Sequence, residues 1–342
     1  FADATTFGFD AAYAEALGDE YVAQLAEWIE NDPQLEFQSF TADERDVYRH
    51  ALDTWSAATG IDFIEVEDGL TSYGDLRFFI EDFDAWSQYE EAGEFTGLAG
   101  YAYLPADINA SGFADALSGD VFLDSKYEPG DGFFEHVVIH EIGHALGLDH
   151  SFEGYMADAE MRNHRSVMTY DQEALLPVEP MQYDFLAGSF IYGGGTASAN
   201  LGDDTYSFPD LDDHRYSIAD GGGHDTLDLS AWRSPLALDL GSDPWIHSQV
   251  SASDDPDYEY GKIFIVDGTS IESVITTDLD DVVFANAPLD YLVMNDGDDF
   301  VSFSDAFRNA DGGSGSDTLD ISAQVLLYAE LLMMGIPSCF IC

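Results

Sequence analysis

The stretch HEIGHALGLDH, residues 140–150, holds three histidines, one glutamate and one glycine at fixed offsets. On a helix, His140 and His144 lie one turn apart on the same face, so their imidazoles can share one Zn²⁺. Glu141 is rotated by roughly 100° from His140 and reaches a zinc-activated water better than the metal itself. Gly147 lets the chain stop the helix and reverse, because glycine adopts positive φ at low cost. His150 then returns as a third nitrogen ligand. Three neutral histidines leave one coordination position open, which is the arrangement of a catalytic zinc rather than a structural one. His136, one turn earlier, reads by itself as a packed or solvent-facing histidine.

These side chains need a frame. Residues 12–30 carry helical periodicity. Residues 41–60 form a clearer helix, with Thr41 as N-cap, Glu44 completing a capping box and Gly60 ending the run. Val47, Ala51, Trp55 and Ala58 make its apolar face. Strands are expected at 61–68, 75–83, 97–105 and 119–125, and an apolar helix over 132–148 carries the histidines. The first half therefore reads as an α+β domain. SVMTY follows at 166–170, and its Met168 would lie beneath the metal as a hydrophobic floor. Taken alone, Met168 would be ordinary core packing.

Near residues 191–200 the texture changes. Gly, Asp and Asn turns begin to alternate with short apolar steps, so the chain divides into domains at 1–192 and 193–342. From 276 to 320 it can be cut into consecutive nonapeptides. Position six reads Asp281, Asp290, Asp299, Arg308 and Asp317; position eight reads Val283, Leu292, Val301, Ala310 and Leu319. This is the register of the G-G-x-G-x-D-x-U-x repeat of a parallel β-roll, in which the aspartate binds calcium and the apolar residue points inward. Most of the glycines are missing; only GGSGSD, with Gly313 and Asp317, keeps them all. Asp278 and Asp296 offer additional carboxylates, and Arg308 places a cation where a ligand belongs. DGGGHDTLDLS (220–230) resembles GGSGSDTLDIS (312–322), and LGDDTYSF (201–208) echoes DGDDFVSF (296–303). Ordinary Asp/Gly turns in a β-domain remain the alternative reading.

The chain has 68 acidic and 10 basic residues, a net charge of −58. Such a surface repels nucleic acid phosphates and anionic membranes. The carboxylates exceed what calcium needs, for instance in FIEDFDAWSQYEEAGEF (79–95), which points to a saline or marine habitat where repulsion is screened. The only cysteines, Cys339 and Cys342, exclude a disulfide scaffold, and they sit in an apolar tail too short and interrupted for a membrane span. No Sec-type signal opens the sequence.

HEIGHALGLDH followed by a Met-turn marks the metzincin metallopeptidases. With the nonapeptides added in the same order, the sequence resembles the serralysins, zinc endopeptidases with a calcium-binding RTX roll, over most of the chain from about residue 35. The resemblance implies a zinc metallopeptidase domain and an RTX domain, secreted by type I export. It implies catalysis by Glu141 as general base, with zinc on His140, His144, His150 and Tyr170. In the family, the tyrosine two residues after the methionine is a zinc ligand that swings away to stabilise the transition state. The edge strand that holds substrate corresponds to GLAGYAYLP (97–105). The matching calcium positions are Asn200, Gly202 and Asp204 with Asp220, Gly222 and Asp225, and Glu272 is a further one. Protein or peptide substrates are expected, with a proteinaceous inhibitor as a candidate partner and a monomeric state. The rival reading is a catalytically inactive calcium-dependent binding protein on the same fold. An RTX-bearing lipase is disfavoured because the sequence has no G-x-S-x-G elbow.

Overall fold

Helix α1 (Ala42–Thr59) starts where the sequence offers a cap. The Thr41 hydroxyl accepts from Glu44 N–H, and the Glu44 carboxylate accepts from Thr41 N–H at 2.6 Å. Gly60 closes the helix in the left-handed conformation. In the computed structural model, which describes residues 40–66, 74–86, 97–105, 118–130, 132–153, 162–170, 175–209, 214–240, 245–248, 262–285, 289–303 and 309–320, the chain divides into two compact units, Phe1–Gly193 and Gly194–Cys342. The expected helix at 12–30, the cation Arg308 and the tail with Cys339 and Cys342 lie outside the described residues.

In the first unit, α1 buries Tyr48, Ala51, Trp55 and Ala58. Tyr48 replaces the expected Val47, which is only half-buried, because the aromatic ring packs 4.8 Å from Phe78 and 6.3 Å from Phe134. Strands β1 (Arg77–Glu81) and β3 (Asp120–Asp124) pair in parallel, and β2 (Gly100–Ala102) pairs antiparallel with β3, giving the order β1-β3-β2. Among the described residues, β2 thus lies at the edge of this sheet. Arg77 and Asp120, both buried, pair through two hydrogen bonds of 2.7 and 2.8 Å at the start of the parallel register. A short helix α2 (Phe83–Trp86) follows β1.

The strand expected at 61–68 does not form over 61–66, and residues 67 and 68 lie outside the described set. Ile64 and Val66 face outward, with Ile64 81% exposed. The segment is tied instead to α1, where Arg49 donates to both Glu65 carboxylate oxygens at 3.0 and 3.1 Å. Helix α3 (Phe133–Ala145) crosses the sheet and is held to α1 by the Trp55 indole N–H, which donates to Ile139 C=O at 3.0 Å. A 3-10 turn (Ser151–Glu153), strand β4 (Leu176–Pro177) and helix α4 (Gln182–Tyr192) follow in this unit.

The second unit is strand-rich among its described residues. Its first sheet is wholly parallel, in the order β15 (Asn309–Asp311), β13 (Tyr291–Val293), β11 (Ser273–Ile275), β7 (Thr226–Asp228), β5 (Thr205–Tyr206). In its second sheet, β16 (Thr318–Asp320), β14 (Phe300–Phe303), β12 (Val282–Ala285) and β8 (Leu236–Asp239) run parallel. The antiparallel β9 (Trp245–Ser248) then joins β8 to β10 (Ile263–Ile265), and β6 (His214–Ile218) pairs parallel with β10.

From β11 onward, successive strands alternate between the two sheets. Each nonapeptide contributes one strand, and strands two repeats apart become neighbours. The pairings Val283↔Val301, Val301↔Leu319 and Leu292↔Ala310 express that 18-residue step. Val283, Leu292 and Val301 are buried as position-eight residues should be, whereas Ala310 and Leu319 are exposed in the last described strands.

Candidate metal centre and acidic turns

Helix α3 buries Val137, Val138, Ile139 and Ile142 together with His140 and Glu141. It stops because Gly147 takes φ 93° and the chain folds back, with Leu148 N–H donating to Gly143 C=O at 3.0 Å. The same reversal lets His144 Nδ1 donate to Leu148 C=O at 2.8 Å. His140 Nδ1 donates to Val167 C=O at 2.7 Å. A carbonyl can only accept, so both Nδ1 atoms carry the proton and both Nε2 atoms present a lone pair.

His150 comes back so that its Nε2 lies 3.1 Å from His144 Nε2. Ligand atoms of His140, His144 and His150 all lie within 4.8 Å of one another, so the triad could hold one metal ion. His140 Nε2 is buried without a hydrogen-bond partner, and so is Glu141 Oε2 on the same turn of helix. Burial lowers the pKa of all three imidazoles, and of His140 well below its ordinary value. They are therefore neutral donors, the form a metal requires. Burial alone pushes the Glu141 carboxyl up to about 8. These residues fit a three-histidine zinc with an open position.

Met168 is buried against Gly143, between the two helical histidines; a Cβ at Gly143 would meet the Met168 sulfur. Tyr170 stacks over the His140 ring at 5.5 Å and packs on His150 at 4.6 Å, yet stays 62% exposed. Its phenol pKa is raised, first by burial and then by Glu141.

Residues 28–172 match the family model of the matrixin peptidases. The serralysin of Proteus mirabilis is 28% identical over 227 residues, covering 56% of this chain and 45% of its own length. The serralysin of Photorhabdus sp. (strain Az29) is 24% identical over 273 residues, covering 70% and 52%. The metalloprotease AprA of Pseudomonas entomophila is 25% identical over 298 residues, covering 74% and 59%. The chain is thus similar to the matrixin peptidases over residues 28–172 and to the serralysins over more than half of its length. It spans about half the length of the curated relatives it matches.

Three further residues shape this site. Asp184, on α4, accepts from Ser166 Oγ at 2.6 Å and from Val167 N–H and Met181 N–H at 2.8 Å each. It thereby fixes the turn whose Val167 carbonyl orients His140. Gly100, on edge strand β2, lies so close to α3 that a Cβ there would be 2.9 Å from Glu141 Cγ and 3.1 Å from its Oε1. Phe152 stacks on His150 at 4.7 Å and packs on Tyr170 at 5.1 Å. The position of Phe152 two residues after His150 was the only sequence signal available for it.

In the second unit, carboxylates of Asp204, Asp220 and Asp225 converge within 4.8 Å. Asp220 accepts from Tyr206 O–H and Gly222 N–H, and Asp225 Oδ1 accepts from Asp204 N–H at 2.9 Å. Asp225 Oδ2 is buried without a partner. The neighbouring candidates serve local bonds: Asn200 Nδ2 donates to Ala219 C=O, and Glu272 accepts from Asp225 N–H and the Ser270 hydroxyl. Gly202 is exposed beside Asp204.

Farther along, Asp281 N–H donates to Asp299 Oδ1 at 2.8 Å and Asp299 N–H to Asp317 Oδ1 at 3.3 Å, a ladder with the 18-residue step. Asp299 Oδ2 is buried and unpartnered, and burial first of all pushes its carboxyl up to about 6. Asp278, Asp296, Gly313 and Asp317 are exposed in these turns, with Asp296 bridging Ser314.

Proposed function

We propose that the protein is a zinc endopeptidase that hydrolyses peptide bonds of proteins. The observation that carries this reading is the orphaned pair on α3: His140 Nε2 aims with two further imidazoles at one point, and the unpartnered Glu141 carboxylate oxygen lies beside it. His140, His144 and His150 would hold the zinc, which would supply Lewis acidity toward a water and the scissile carbonyl. Glu141 takes the water proton and passes it to the leaving amine, as a general base and then a general acid. The Tyr170 hydroxyl, on a largely exposed side chain, donates to the developing oxyanion. Edge strand β2 runs past Glu141 at Gly100, so an extended peptide pairing with β2 would lie along the base.

The second unit is read as a calcium-stabilised parallel β-roll of RTX type. Support comes from the alternation of nonapeptide strands between two sheets and from the buried, unpartnered oxygens of Asp225 and Asp299. Secretion by type I export and adaptation to salt belong to the same reading. No helix among the described residues is long and apolar enough to cross a membrane. The inactive-binder alternative is disfavoured because Glu141 and Tyr170 are both kept at the histidine cluster, and a binding module needs neither.

The test is digestion of casein by fresh protein loaded with zinc and calcium, with and without a zinc-selective chelator. Cleavage abolished by the chelator is expected. A fully loaded protein that cleaves nothing would refute the peptidase reading. Activity that is maximal in dilute buffer and falls steadily with added salt would refute the saline adaptation alone.

A further inference from the structure

The acidic turns of the second unit are not equivalent. At Asp225 and Asp299, one carboxylate oxygen accepts an amide from the neighbouring turn and the other is buried without any partner. Both residues are at least nine-tenths buried. A buried anionic oxygen with no donor is costly, and a cation is the partner that would relieve it.

Asp281 occupies the same repeat position and is equally buried, yet both of its oxygens are satisfied by the protein. Oδ1 accepts from Leu236 N–H at 2.8 Å and from the Thr277 hydroxyl at 3.0 Å. Oδ2 accepts from Thr277 N–H at 2.8 Å and from the same hydroxyl at 2.9 Å. The Thr277 oxygen in turn accepts from Leu279 N–H at 3.1 Å, so the turn is closed on itself.

The contrast between Asp281 and Asp299 lies in the residue four positions before the aspartate; before Asp225 that residue is Gly221, which is not left-handed and sends its N–H to Ala199 C=O at 2.7 Å. One and two 18-residue steps after Thr277 stand Asn295 and Gly313, and both are left-handed, with φ of 58° and 71°. A left-handed residue there turns the peptide groups away from the aspartate. Asn295 accordingly sends its side chain to Thr276 C=O at 2.8 Å and leaves Asp299 Oδ2 bare. Threonine is β-branched and disfavours positive φ, and Thr277 is not among the left-handed residues. Its N–H and O–H therefore point back at Asp281.

We infer that Thr277 takes the place of a calcium ion at the Asp281 turn, so that this rung of the roll is held without metal while the Asp225 and Asp299 turns bind it. Asp281 then acts as a structural acceptor and not as the calcium ligand its repeat position suggests. The inference rests on the calcium reading of the second unit given above.

The experiment counts calcium bound to the full, zinc-loaded chain by equilibrium dialysis and atomic emission, and records thermal unfolding in saturating calcium. Asp281→Asn should bind as many calcium ions as the unaltered chain, whereas Asp299→Asn should bind one fewer. Thr277→Val, which keeps the volume and removes the hydroxyl donor, should keep the calcium count and lower the melting midpoint by about 5 °C in saturating calcium. Loss of one ion in Asp281→Asn would overturn the inference. So would an unchanged midpoint for Thr277→Val in saturating calcium, because the Thr277–Asp281 bond would then be absent from the loaded state. If Asp281→Asn fails to fold, Thr277→Val decides. An unaltered chain that binds no calcium would instead sink the calcium reading itself, and this inference with it.

Discussion

The histidine cluster of the first unit and the acidic turns of the second are both candidate metal centres, and they are built in opposite ways. The histidine cluster gathers its three imidazoles and its carboxylate from one eleven-residue stretch, and a distant turn adds the Val167 carbonyl that orients His140. Val167 and Leu148 carbonyls hold two imidazoles by Nδ1, leaving Nε2 free to converge. The acidic turns are repeated and linked across 18–21 residues of sequence, each of Asp225, Asp299 and Asp317 spending one oxygen on the amide of the adjacent turn. The first arrangement concentrates its function in one place, where removal of a single group should stop turnover. The second distributes it, so that removal of one carboxylate should cost one increment of stability.

That contrast can be broken experimentally, beginning with the largest effect. Glu141→Ala should lower kcat by on the order of 10³-fold or more while retaining zinc. Loss of zinc together with activity, measured by atomic absorption, would contradict the general-base role. Tyr170→Phe should lower kcat by about 10²-fold with a small change in KM, since an oxyanion contact is made only in the transition state. An equal rise in KM with unchanged kcat would make Tyr170 a ground-state binder instead.

Gly100→Ala should lower kcat by about tenfold, because the new Cβ must displace the Glu141 side chain or the edge strand. Full activity would show that the approach of β2 to the base is immaterial. In the second unit, Asp225→Asn should lose one calcium ion and lower the melting midpoint while leaving kcat at saturating calcium unchanged. A large kcat loss there would erase the distinction between the two regions.

The smallest expected effect concerns pH. Burial raises the Asp184 carboxyl to about 6 in the folded chain, against the lower ordinary value of an unfolded aspartate. The folded state thus holds that proton more tightly, and this group makes stability fall as pH rises from about 4 to 6. Asp184→Asn should flatten that part of the melting-point profile. An unchanged slope would mean that the three donors to Asp184 fully offset its burial.

Several features were legible because they are local. Thr41, Glu44 and Gly60 bounded α1 as helix-capping chemistry requires. The nonapeptide register gave the buried positions Val283, Leu292 and Val301, because a repeat of fixed length must stack in register with itself. The segment 61–66 misled because IDFIEV alternates like a strand. Alternation supplies faces but no partner, and the segment is fixed by the Arg49–Glu65 pair instead. Asp184 carried no signal, and Gly100 only its place in the expected edge strand, since their importance lies in contacts with residues distant in the chain.

By itself the sequence determined that three imidazoles and a carboxylate sit at helical and turn offsets able to meet one ion, because backbone periodicity is a local property. It also determined a nine-residue register for the acidic turns, whereas the 18-residue step between paired strands came from the structure. Only the tertiary structure decided which nitrogen of each helical histidine is free, through the Val167 and Leu148 carbonyls. It alone decided that Glu141 lies under an edge strand at Gly100. And it alone separated Asp281 from Asp299, two aspartates at the same repeat position, because whether a buried carboxylate is satisfied depends on which donors the fold turns toward it.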